Sequence, residues 1–139
     1  MVLYTISLKI ETTSAIINTM AIEISGVDTN SGLELCDGDM NIYLNALHLY
    51  ASSIPADLEK MSGVSQETLA DYAITVHSVK SMSQYIGAEE ARKTAKELEA
   101  MAKGGDLAGV QAQNEAFIKY LKNLADGIDA WLKKNEGAS

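Results

Sequence analysis

The spacing of apolar residues constrains this chain more than any other feature. From Met40 to Met61 they fall at Met40, Tyr43, Leu44, Leu47, Ala51, Ile54, Leu58 and Met61, the three-and-four step that keeps one stripe on one face of an α-helix. Three further segments repeat the pattern. Ser65 to Ile86 carries Leu69, Tyr72, Val76, Val79, Ser83 and Ile86. Glu89 to Lys103 carries Ala91, Thr94, Ala95, Leu98 and Met101, and Asp106 to Lys134 carries Val110, Phe117, Leu121, Leu124, Ile128 and Leu132. Asp39 and Asp106 suit N-caps, Ser65 with Thr68 offers a start, and Gly63, Gly87 and Gly104-Gly105 supply stops. The single proline, Pro55, lies inside the first stripe and is expected to kink the helix or mark its weakest turn. Four long helices on connections of about two to five residues predict an all-α protein, an antiparallel up-and-down four-helix bundle.

A short leading helix is expected at Asn30 to Cys36, between Asp28 and the turn Asp37-Gly38. The expected domain runs over residues 22–135. Ahead of it, residues 1–21 read as an extension of uncertain structure, in which Val2, Tyr4, Ile6, Leu8 and Ile10 alternate as a strand would, without a second strand-like segment to pair with. Residues 136–139 read as a disordered tail.

Charge narrows the function. With 11 Lys and Arg against 19 Asp and Glu, the net charge is -8, which argues against nucleic acid and anionic membranes as partners, since phosphates are held by clustered cations. Cys36 alone forms no intramolecular disulfide, so a cytoplasmic location is the default expectation. No apolar run reaches the ~18 residues of a membrane span. Metal-binding clusters, phosphate-cradling Gly-rich loops and nucleophile elbows are missing; Gly104-Gly105 is followed by Asp106, not Lys-Ser or Lys-Thr. No metal, no cofactor and no ATP-binding enzyme are expected.

The two histidines differ. On a wheel of about 100° per residue, His77 lies roughly 140° from the centre of its helix's apolar stripe and so faces solvent. Its face is shared by Gln66, Ala70, Ala73, Lys80, Ser81, Gln84 and Ala88, with no carboxylate. An idle surface histidine gives the same pattern, so the wheel alone leaves both readings open. His48 sits at the flank of the first stripe, between Leu47 and Leu49, and is expected to be a partly buried boundary residue. Neither histidine has Glu three residues before it, as a di-metal bundle requires.

The segment from His77 to Ala88 resembles the phosphoacceptor signature of histidine-containing phosphotransfer (HPt) domains: a His, an aliphatic residue two on, Lys three on, small residues four and six on, then aliphatic-Gly-Ala. His77, Val79, Lys80, Ser83, Ile86, Gly87 and Ala88 match. Ser81 departs, standing where the family most often has Gly. Gly32-Leu33-Glu34 with Asp37-Gly38-Asp39, and Lys96-Glu97-Leu98-Glu99 with Gly104-Gly105-Asp106-Leu107, are similar to the family's flanking regions, so the likeness covers about Ile22 to Lys134. Histidine kinase dimerisation domains are a poorer fit: they carry an acid directly after the His and a Pro soon after, whereas here Ser78 follows and no Pro lies beyond position 55.

The resemblance implies a carrier that takes a phosphoryl group from one receiver-domain aspartate and passes it to another, with receiver domains and a hybrid histidine kinase as partners and receiver-held Mg2+. His77 would be the acceptor. Lys80, one turn along, would offset phosphoryl charge; at ~6 Å and an effective dielectric of ~20 the attraction is about 3 kcal/mol, less when exposed. Glu99 would hold the His77 Nδ1, since the family often has Gln or Glu there, and on its wheel it flanks the third helix beside Arg92, Lys96 and Lys103. Gln84 would contact phosphate or partner backbone, while Ser81 and Ala73 would serve by being small. Arg92 and Lys96 would steer an acidic receiver, and the outward Ile42 and Leu49 would join its docking patch unless the leading helix covers them. A monomer is expected. The competing reading is a non-catalytic helical adaptor in which His77 is merely exposed.

Overall fold

Five α-helices and no strand make up residues 22–136, the part of the chain that the computed structural model describes: α1 Thr29–Leu35, α2 Met40–Met61, α3 Leu69–Ile86, α4 Glu89–Lys103 and α5 Leu107–Glu136. The alternating segment within 1–21 and the last three residues of the expected tail lie outside the described residues. Side-chain carboxylates open three of the helices. Asp28 accepts from the Ser31 amide at 3.2 Å, Asp39 from the Asn41 and Ile42 amides at 3.0 and 3.2 Å, and Asp106 from the Gly109 amide at 2.9 Å; each pairs amides that a helix start leaves without intrahelical partners.

The second long helix begins four residues later than its periodicity suggests. The Thr68 hydroxyl accepts from the Ser65 amide at 2.9 Å and folds residues 65–68 into a turn, so α3 starts at Leu69. Pro55 does not end α2, which continues to Met61. Pro55 is exposed.

Each long helix packs against its neighbours in chain order, and α5 closes the ring against α2, giving the four-helix bundle. The core is the set of apolar stripes: Tyr43, Leu47 and Ile54 of α2, Val76, Val79 and Ile86 of α3, Ala95 and Leu98 of α4, and Leu121, Ile128 and Leu132 of α5 are buried. Thr94 and Met101 are only half-buried, and Ala102 takes a place inside. A polar link ties three helices together: the Tyr72 hydroxyl donates to Asn114 Oδ1 at 2.8 Å, and Asn114 Nδ2 donates to the Met61 carbonyl at 2.8 Å.

Helix α5 has 30 residues against 15 in α4, about 45 Å against about 22 Å. The difference is made up by the entering chain. Ile22 and Ile24 are buried, and residues 23–26 lie against Tyr120, Leu124 and Gly127 of α5. The chain then meets the α3–α4 corner, where the Asp28 amide donates to the Gly87 carbonyl at 2.8 Å and α1 begins.

Candidate functional site

Helix α3 turns Tyr72, Val76, Val79, Ser83 and Ile86 inward, so His77, one residue after Val76, projects from mid-helix into solvent with its side chain 57% exposed. The outward position agrees with the wheel. Alongside runs α4, and its Glu99 reaches under the imidazole: His77 Nδ1 and Glu99 Oε2 are 2.8 Å apart. Lys80, one turn beyond His77, donates from Nζ to Glu99 Oε1 at 2.7 Å. Lys103, one turn beyond Glu99 on α4, sits 2.8 Å from Oε2. The lone carboxylate thus serves three nitrogen groups.

Glu99 is buried where it meets the ring, its side chain only 6% exposed. Helix α3 packs on α4 more extensively than any other pair, and the His77 and Lys80 side chains cover the carboxylate. Burial by itself pushes the Glu99 pKa up, yet hydrogen bonds from Lys103, Lys80 and His77 outweigh it and bring the value down to about 2. At neutral pH Glu99 is therefore an anion that can only accept, and the Nδ1 of His77 must be the donor. In the neutral ring that leaves the lone pair on Nε2.

Lys80 and Glu99 join His77 in one cluster. Ser81 and Gln84 are exposed on the same side of α3. Ala73 departs from expectation: it is buried, because packing covers more of α3 than its apolar stripe, and it offers a partner little surface. Arg92 is engaged by Glu89, with Nε and Nη2 at 3.1 and 2.6 Å from the two carboxylate oxygens, so it stands apart from Glu99. Lys96 is exposed. His48, expected at the boundary, is exposed as well.

Ile42 and Leu49 are 52% and 59% exposed, and α1 does not cover them. With Asn45 and Met82 they line a groove between α2 and α3 that includes the exposed Tyr85. Two residues carried no assigned role in the sequence. Lys103 was legible as an i, i+4 partner of Glu99, and Ile74, 69% exposed one turn before His77, was legible from its outward angle. Among the described residues no group of His, Cys, Asp and Glu suits a metal ion, and no helix is long and apolar enough to cross a membrane.

Comparison with known proteins adds one finding. The family model of the Hpt domain matches residues 45–131, while no curated protein and no solved structure matches the chain. The matched span takes in His77, Lys80, Glu99 and Lys103 together with the whole of α3 and α4. Since it covers more than half of the sequence, the chain belongs to the Hpt family: it is a phosphotransfer domain of two-component signalling, a phosphocarrier by class.

Proposed function

We propose that His77 is the phosphoacceptor and that the chain relays a phosphoryl group between receiver-domain aspartates. The observation that carries this reading is the exposed His77 whose Nδ1 is held 2.8 Å from the buried, ionised Glu99, which leaves Nε2 as the nucleophile. Phosphoryl transfer proceeds in line through a loose transition state, so the carrier needs an accessible, oriented nitrogen and compensating charge. The Nε2 lone pair attacks the phosphorus of the receiver's aspartyl phosphate while the bond to the carboxylate oxygen breaks. Lys80 lies beside the incoming charge, and Mg2+ is held by the receiver.

In this reading a receiver covers the surface on both sides of His77. Its apolar contacts fall on Ile42, Leu49, Ile74 and Tyr85, all exposed, and its acidic rim faces Lys96 and Arg92. Ser81 is small enough to let receiver loops approach the imidazole, and Gln84 contacts phosphate or backbone. Residues 22–135 form the carrier domain, which works as a monomer in the cytoplasm with a hybrid histidine kinase upstream.

Incubation with a phosphorylated receiver tests the assignment. Label is expected on this chain, acid-labile and alkali-stable, and absent from His77→Gln. Label persisting in that variant would sink the assignment, and no label on either protein would favour a silent adaptor.

A further inference from the structure

The hydroxyl of Ser81 stands one helical turn beyond His77, on the flank of the ring away from Glu99. We propose that Ser81 Oγ donates a hydrogen bond to the phosphoryl group as it forms its bond to Nε2 of His77, which makes Ser81 a further catalytic residue of the transfer. This rests on His77 being the acceptor.

Helix geometry places the group. At about 100° per residue, Lys80 lies about 60° to one side of His77 and Ser81 about 40° to the other. Lys80 meets Glu99 of α4, so Ser81 is on the flank away from α4. Glu99 holds Nδ1 at 2.8 Å from the α4 side, and Nε2, across the ring, is turned the other way. Residues four apart on a helix bring their Cβ atoms to about 5–6 Å, and a helical side chain leans over the turn before it. Ser81 therefore leans toward His77. Ser78, also exposed, stands about 100° round the helix from His77 and faces elsewhere.

The hydroxyl is uncommitted. Within a helix, serine and threonine commonly bond the carbonyl one turn back, and Thr75 of α3 does so, donating to the Asp71 carbonyl at 3.2 Å. Ser83 is tied to the Tyr50 hydroxyl at 2.9 Å. Ser81 is exposed and, among the described residues, has no hydrogen-bond partner. Lys80 and Lys103 both hold Glu99, so they supply nearby charge, while Ser81 is a directed donor that need not leave another partner. In the step itself the P–Nε2 bond forms as the bond from phosphorus to its leaving group breaks, and that electron pair departs with the leaving group. Ser81 keeps its proton throughout and only shares it with an equatorial phosphoryl oxygen.

The test loads the full chain from phosphoramidate, a small donor that brings no protein side chains and releases ammonia. Phosphorus NMR follows the phosphohistidine, and the His77 rate is the part absent from His77→Gln. Ser81→Ala is expected to slow that rate about three- to tenfold, with helical content kept, since Ala is the stronger helix former. Ser81→Thr restores a hydroxyl at the same place and is expected to recover most of the loss. A Ser81→Ala rate equal to the wild type overturns the proposal. A faster rate does so too, because Ser81 would then obstruct the ring and not serve it, as does a loss that Ser81→Thr fails to recover. No loading of the wild type, or equal loading of His77→Gln, overturns the acceptor assignment itself.

Discussion

Lys80 and Lys103 both bond Glu99, but they are not equivalent. The Lys80 side chain is 26% exposed and stems from the helix that carries His77, one turn away; that of Lys103 is 64% exposed and stems from the end of α4. A half-sheltered cation one turn from the acceptor contributes more to stabilising phosphoryl charge than a solvated one behind the carboxylate. Single-turnover transfer from a phosphorylated receiver is expected to slow about 10- to 100-fold in Lys80→Ala. In Lys103→Ala it is expected to slow only a few-fold. Helical content should stay unchanged in both, by circular dichroism. The reverse order would mean that the phosphoryl group sits toward the end of α4. His77 and Lys80 were legible in the sequence because their outward angle depends on one helix alone. The reach of Glu99 to the His77 Nδ1 was implied by the resemblance and is 2.8 Å in the structure. Ala73 was expected on the exposed face and is buried, because burial depends on how neighbouring helices lie on α3, which no single wheel contains.

At the scale of elements, the motif that begins at His77 divides into a chemical half and an architectural half. Ser83 is fully buried and bonds the Tyr50 hydroxyl at 2.9 Å, while the Ile86 carbonyl accepts from the Tyr43 hydroxyl at 2.8 Å, so both fasten α3 to α2. Gly87 ends α3 in the left-handed region, with φ at +84°, and its open side is filled by the entering chain: a Cβ there would be driven into the Asp28 carbonyl. Gly105 also has a positive φ, +79°, but nothing stands where its Cβ would go. Gly105→Ala is therefore expected to cost about 1 kcal/mol of left-handed strain, whereas Gly87→Ala is expected to cost about 2 kcal/mol or more because it also displaces α1. Urea unfolding measures both. Faster hydrogen exchange at the Asp28 amide, whose bond to Gly87 is lost, should mark the second alone. The four long helices were legible because their stripes persist over many turns. The start of α3 was not, because the hydroxyl of Thr68 bonds the Ser65 amide and closes a turn that periodicity does not register.

For the whole molecule, the acidic balance of -8 is locally inverted at the site. Lys80 and Lys103 surround one buried carboxylate, and this arrangement ties folding to pH. Glu99 is held at about 2, below the ordinary 4.5 that it regains when the chain unfolds. The sign follows from proton counts. Above about pH 4.5 both states are ionised and the folded protein keeps the full benefit of the cluster. As pH falls from there toward 2, the unfolded chain takes up a proton on Glu99 while the folded chain does not, so unfolding is favoured progressively. Once pH passes below the folded value, the contribution is gone. In Glu99→Gln this part of the acid sensitivity should disappear. Urea unfolding at about pH 6, 4 and 2.5 is expected to show a steeper fall in stability for wild type than for the variant, with the two curves converging at the acid end. Parallel curves would show that the cluster does not lower Glu99 below its ordinary value and so contributes no acid-sensitive stability. The acceptor for His77 Nδ1–H would survive even so, because a carboxyl at its ordinary 4.5 is still an anion at neutral pH; what would be lost is the coupling of the cluster to acid stability.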